Sequence, residues 1–79
     1  MNTYVPYTPI MFDNAGYRTI EINDEFNENL QIVLKYYDID FRVGDDGGTL
    51  VKRKLIRNEE LIHNYTKKAL SQEWLKDRR

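Results

Sequence analysis

The sequence predicts a single α+β domain over residues 1–79, with two helices packed on one face of a three- to four-stranded, mainly antiparallel sheet. Three observations predict it. Apolar residues recur at helical spacing in two stretches, 24–38 and 59–70. Between them Ile39, Phe41 and Val43 alternate with Asp40 and Arg42, the mark of a strand with one buried face. Gly44-Asp45-Asp46-Gly47-Gly48 then turns the chain back, because glycine and aspartate tolerate positive φ. The order is ββαββα or βαββα, according to what the N-terminal segment does.

Taken in order, residues 3–12 are β-branched and aromatic but include Pro6 and Pro9. Proline has no N–H to donate, so residues 1–12 are expected as an edge strand or an extended arm. Asp13-Asn14-Ala15-Gly16 is a turn by composition. Residues 17–22 alternate, with Ile20 and Ile22 on one face. These two segments form a hairpin, or only the second joins the sheet.

Asn23 is a good helix N-cap, and Asp24 and Glu25 suit the dipole of the first turn. Phe26, Leu30, Val33, Leu34 and Tyr37 share one helical face, and Ile22 is placed to pack on the first turn. After the glycine turn, the return strand over 49–55 runs into Lys52-Arg53-Lys54. No register buries that tripeptide, so it is expected at an edge, where lysine discourages strand pairing. Asn58 caps the last helix, whose buried face is Leu61, Ile62, Tyr65 and Ala69. Ser71 caps a terminal turn carrying Trp74 and Leu75, and residues 76–79 are expected to fray. The helix–hairpin–helix order around LKYYDIDFRVGDDGGTLV resembles the small βαββα modules that build rings in secretion systems. The resemblance covers about half the chain and implies a fold, with no functional residue attached.

Composition removes several functions. With 79 residues and no cysteine, the chain has one modest core and no disulfide or Cys-based zinc site. Such a core supplies about 3–5 kcal/mol unaided, so self-association as a homodimer is expected. His63 is the single histidine, and no metal or cofactor is expected. No apolar run reaches the roughly 20 residues of a membrane span. The N-terminus lacks the pattern of a signal peptide, so a cytoplasmic location is expected.

Catalytic groupings fare poorly. Ser71 and His63 lie eight residues apart, about 12 Å along a helix, too far for a hydrogen-bonded pair. Asp38-x-Asp40 with Asp45-Asp46 approaches a calcium loop, but Arg42 and Thr49 stand where that loop needs oxygen ligands from a short polar residue and a glutamate. Asp38 and Asp40 read as solvent-facing residues of a half-buried strand. The chain is therefore expected not to be an enzyme.

Binding remains. Residues 1–48 carry nine acidic and three basic side chains, a balance of −6, and residues 49–79 carry four and nine, a balance of +5. Lys52, Arg53, Lys54 and Arg57 form a basic hairpin in this reading, suited to nucleic acid or nucleotide. The pI near 5.8 argues against a dedicated nucleic-acid domain. Six tyrosines and one tryptophan exceed what so small a core can hide. Tyr7, Tyr36 and Trp74 lie at the margins of their apolar stripes and are the expected protein-binding anchors. The abundance of Asn, Ile, Lys and Tyr points to an A+T-rich genome. The reading is a small protein-binding module, fitting a phage-encoded regulator or inhibitor of a host defence or metabolic protein by stoichiometric binding.

Overall fold

The computed structural model describes residues 3–79, so the part of the N-terminal expectation that falls on residues 1 and 2 lies outside it. Strand β1 (Tyr4–Pro6) leads into a hairpin of β2 (Ile10–Asp13) and β3 (Gly16–Thr19). Helix α1 (Asp24–Tyr36) follows, then β4 (Phe41–Val43) and β5 (Thr49–Lys52). The chain ends in three helices: α2 (Arg53–Ile56), α3 (Glu59–Ala69) and α4 (Gln72–Lys76). The fold is a small α+β domain with antiparallel sheets of three and two strands, the larger in the order β1-β5-β4. With the β2–β3 hairpin set aside, the two sheet-forming ends and two long helices follow the βαββα order.

The N-terminal segment satisfies both of its readings in separate places. Its first part is an edge strand, with Val5 opposite Val51 and Pro6 opposite Leu50. Its second part forms the hairpin, with Phe12 opposite Tyr17, and this hairpin stands apart from the main sheet. Residues 17–22 do not enter that sheet, and the strand stops at Thr19. Ile22 stays exposed instead of packing on the first helical turn, because the residue it would meet there is the polar Asn27.

The basic run also falls differently. β5 is the central strand, so Lys52-Arg53-Lys54 guards no edge. The strand ends at Lys52, and Arg53 to Ile56 coil into one short helix that carries the charges to solvent. Within the hairpin only residues 41–43 and 49–51 pair. Coiling resolves the conflict that a strand through three consecutive cations would create.

Side-chain caps start α1, α3 and α4 as expected. Asn23 Oδ1 accepts from Phe26 N–H at 2.7 Å, Asn58 Oδ1 from Leu61 N–H at 3.2 Å, and Ser71 Oγ from Trp74 N–H at 3.2 Å. At the end of α1, Ile39 N–H donates to Leu34 O at 2.8 Å and Asp38 N–H to Lys35 O at 3.1 Å. This is a Schellman closure, and it places Asp38 at φ 56. Asp38 therefore belongs to a helix cap and not to a strand beside Asp40.

The core joins all the layers. Leu30, Val33, Leu34, Val51, Ile62 and Leu75 are fully buried. Tyr7, only 2% exposed, lies among them with its ring 6.5 Å from that of Phe26. Its hydroxyl donates to Ile62 O at 3.0 Å and pairs with Thr66 Oγ1 at 2.9 Å. Tyr7 is thus a core residue and not a surface anchor. The proline-flanked stretch looked peripheral in sequence, yet Tyr7 N–H continues the β1 ladder to Thr49 O at 2.9 Å and draws the ring inward.

Two tests follow from this packing. Burial pushes the Tyr7 hydroxyl well above the ordinary tyrosine range. A folded-state pKa above the unfolded one contributes stability that is complete below about pH 10 and is lost as pH rises beyond it. Tyr7→Phe should cost about 1–2 kcal/mol near neutral pH, since Ile62 O and Thr66 lose a partner. Denaturant titrations should also show a shallower alkaline loss of stability in this variant, reduced and not abolished because burial raises Tyr65 too. Asp38→Gly should act in the opposite sense and raise stability by up to about 1 kcal/mol, because glycine enters the left-handed region without Cβ strain. A lower urea midpoint for that variant would contradict the assignment of the cap.

Candidate protein-binding surface

The last turn of α1 faces α4, and the two helices gather aromatic side chains on one surface. Tyr36 and Tyr37 are consecutive, so they leave α1 about 100° apart and cannot both enter the core. Tyr36 is 55% exposed and Tyr37 also remains on the surface. Trp74, half-buried on α4, meets both. Its ring centroid lies 5.3 Å from Tyr36 in an edge contact and 6.3 Å from Tyr37 in a stacked one. Tyr37 extends the set to the buried Tyr65 at 5.5 Å. The rings form one continuous cluster, exposed at the ends of α1 and α4 and rooted in the core at α3.

Cations rim this surface. The Arg78 guanidinium lies 4.3 Å from the centre of Trp74 and 4.9 Å from that of Tyr36. Arg78 Nη1 donates to Trp74 O at 2.8 Å, while its Nε is buried without a hydrogen-bond partner among the described residues. Lys68 Nζ sits 5.6 Å from the centre of Tyr37. A shallow depression beside Arg78 is lined by Ile32, Lys35 and Tyr36. Residues 76–79, expected to fray, are held here: Arg79 Nη2 donates to the buried Asn29 Oδ1 at 3.0 Å. Sequence pattern could not reveal this because Asn29 and Arg79 are fifty residues apart in the chain.

Of the three expected anchors, Tyr36 and Trp74 come together and Tyr7 does not. Tyr37 and Arg78 complete the surface. Helical spacing alone puts Tyr37 on the apolar face of its helix, and composition alone puts Arg78 in a loose terminus. The signal that finds them is the pairing of a double tyrosine at one helix end with a tryptophan-bearing terminal helix.

The basic alternative is dispersed. Arg53, Lys54 and Arg57 are exposed on or just after α2. Lys52 is tied to Asp40 at 3.5 Å, and Tyr4 donates a hydrogen bond to the same carboxylate. The Tyr4 hydroxyl, followed by the Lys52 charge, holds Asp40 below the usual carboxylate range. Arg42 lies over the Tyr4 ring, 4.5 Å from its centre. Lys52 and Lys54 share a groove of about 430 Å³ with Asp38 and Asp40 over an apolar floor of Ile39, Leu55 and Leu61. The carboxylates offset the lysines in that groove.

His63 has a structural part. Its Nδ1 accepts from Phe12 N–H at 3.1 Å, and the Phe12 ring stacks on the imidazole with centroids 4.2 Å apart. The histidine thereby fastens the β2–β3 hairpin to α3. Near that contact the Glu59 carboxylate raises the Tyr17 hydroxyl pKa. Ser71 uses its oxygen as the α4 cap. Comparisons with protein-family models, curated proteins and solved structures found no match to this chain.

With one tryptophan in the chain, its fluorescence reports on the Arg78 contact directly. Arg78→Ala should shift emission to longer wavelength as water reaches the indole, and cost about 1 kcal/mol of stability. Unchanged emission would mean that the guanidinium does not cover Trp74 in solution.

Proposed function

We propose that this protein acts by stoichiometric binding to another protein, with Tyr36, Tyr37 and Trp74 as the contact surface. The observation that carries the reading is the joining of these three rings, with Tyr36 more than half exposed. Aromatic rings in mutual contact lose little side-chain freedom on binding, so the energy of covering them is largely retained. Arg78, Lys68 and Lys35 at the rim favour a partner with an apolar patch bordered by carboxylates. In this reading the chain is a non-enzymatic regulator or inhibitor, and a phage-encoded effector directed at a host protein fits its small size and composition.

The rival reading is nucleic-acid or nucleotide binding through Lys52, Arg53, Lys54 and Arg57. It is favoured by the exposure of Arg53, Lys54 and Arg57. It is weakened by the engagement of Lys52 with Asp40 and by the absence of a hairpin through the run.

Mutation and salt separate the two readings. The partner is to be cross-linked in the native host, identified by mass spectrometry and titrated with the purified chain. Tyr36→Ala and Trp74→Ala should each weaken binding by about 2 kcal/mol or more. Arg53→Ala with Lys54→Ala should alter mainly the association rate. Loss of binding in the basic variant alone, with affinity falling by orders of magnitude between about 50 and 200 mM salt, would establish the rival reading.

A further inference from the structure

The three-stranded sheet has two free edges, and the chain treats them differently. Along β1, Arg53 N–H donates to Thr3 O at 3.0 Å and Tyr7 N–H to Thr49 O at 2.9 Å. Thr3, Val5 and Tyr7 therefore turn their main-chain groups toward β5, and Tyr4 and Pro6 turn theirs outward. Pro6 stands where an incoming strand would need an N–H and offers none. That edge is closed without any loss to the internal ladder.

The β4 edge carries no such block. Gly44 N–H donates to Gly48 O at 2.8 Å, which puts Gly44 and Arg42 in phase with β5. Phe41 and Val43 consequently present N–H and C=O groups outward. Residues 39–43 contain neither proline nor lysine, and the Val43 side chain is 55% exposed.

We propose that β4 pairs antiparallel with β4 of a second copy, about a twofold axis at Phe41, so that two three-stranded sheets become one. The edge sequence Ile39-Asp40-Phe41-Arg42-Val43 is complementary to itself in this register. Phe41 lies opposite the partner's Phe41 and Asp40 opposite the partner's Arg42, while Ile39, whose N–H is committed to Leu34 O, lies opposite the partner's Val43 and offers it the C=O alone. The phase allows it, because an axis through Phe41 makes a hydrogen-bonded pair of that residue's outward main-chain groups. Charge selects the register. Centring the axis on Asp40 sets that carboxylate against its own copy, and centring it on Arg42 sets guanidinium against guanidinium. Asp40 and Arg42 already share the Tyr4 side of the sheet, so the cross-strand pairs extend an existing polar ladder. The pairing is short, which makes this a weak dimer populated at high micromolar concentration. It is independent of the aromatic surface and stands or falls separately from it.

Sedimentation equilibrium of the full chain, from about 10 μM to 1 mM at physiological salt, tests the pairing. Self-association is expected, with Val43→Lys and Arg42→Asp each weakening it about tenfold or more. Adding Asp40→Arg to Arg42→Asp restores opposite charges across the axis and should recover much of the loss. Val43→Lys changes an exposed side chain, so it keeps the test open should the Arg42 variant misfold. Hydrogen exchange of the unmodified chain adds a readout independent of mutation: the Phe41 and Val43 amides should become protected as concentration rises. A monomer throughout, self-association equally strong in all folded variants, or concentration-independent exchange at both amides would overturn the proposal.

Discussion

The buried hydroxyl of Tyr7 is the interaction on which the rest of the structure depends. One residue joins three layers: its N–H extends the sheet to Thr49, its ring meets Phe26 of α1, and its hydroxyl binds Ile62 and Thr66 of α3. A phenol buried in a core is tolerable only when its O–H is satisfied. That requirement sets how closely α3 approaches the sheet. It also explains the buried Thr66, a polar residue on a helix face otherwise made of Ile62, Tyr65 and Ala69. Thr49 is settled in the same way, between Asn27 Oδ1 and Gln31 Nε2 of α1, each at 3.1 Å.

The core takes Tyr7, Phe26 and Tyr65, and most of the other aromatics find cover at its margins. Phe12 goes to the hairpin and is held by His63, with Tyr17 edge-on against it, while Tyr36, Tyr37 and Trp74 cover one another at the helix ends. The second arrangement is costly to leave in water and is bordered by cations, the features of a surface kept for a partner. The two sheet edges show the same economy at the level of the backbone. One carries a proline at an outward position, and the other leaves its hydrogen-bonding groups unused.

Much of this was legible in the sequence because it depends on local chemistry. Asn23, Asn58 and Ser71 cap helices through oxygens that reach backbone donors three residues on, so spacing alone announces them. The turn at residues 44–48 is local too: Gly47 takes φ 84, and Asp46 Oδ1 accepts from Gly48 N–H at 2.8 Å. The helical stripe of α1 likewise follows from the helix period, whereas the strand period locates β4 but not its buried face, since Val43 is 55% exposed.

Tertiary structure decided whatever depends on residues far apart in the chain. The central position of β5 comes from its pairing with both β1 and β4, and no property of Thr49–Lys52 alone declares it. Tyr7 is inside and Tyr36 outside although both sit at the margin of an apolar stripe. The difference is that a partner for the Tyr7 hydroxyl waits on α3, more than fifty residues away. Arg78 and Arg79 are ordered by Trp74 and Asn29, and His63 is committed by Phe12. Local sequence sets which conformations each segment can adopt cheaply. Which side chains then find cover or a hydrogen-bond partner is settled only when distant segments meet, because burial and polar satisfaction belong to the packed whole.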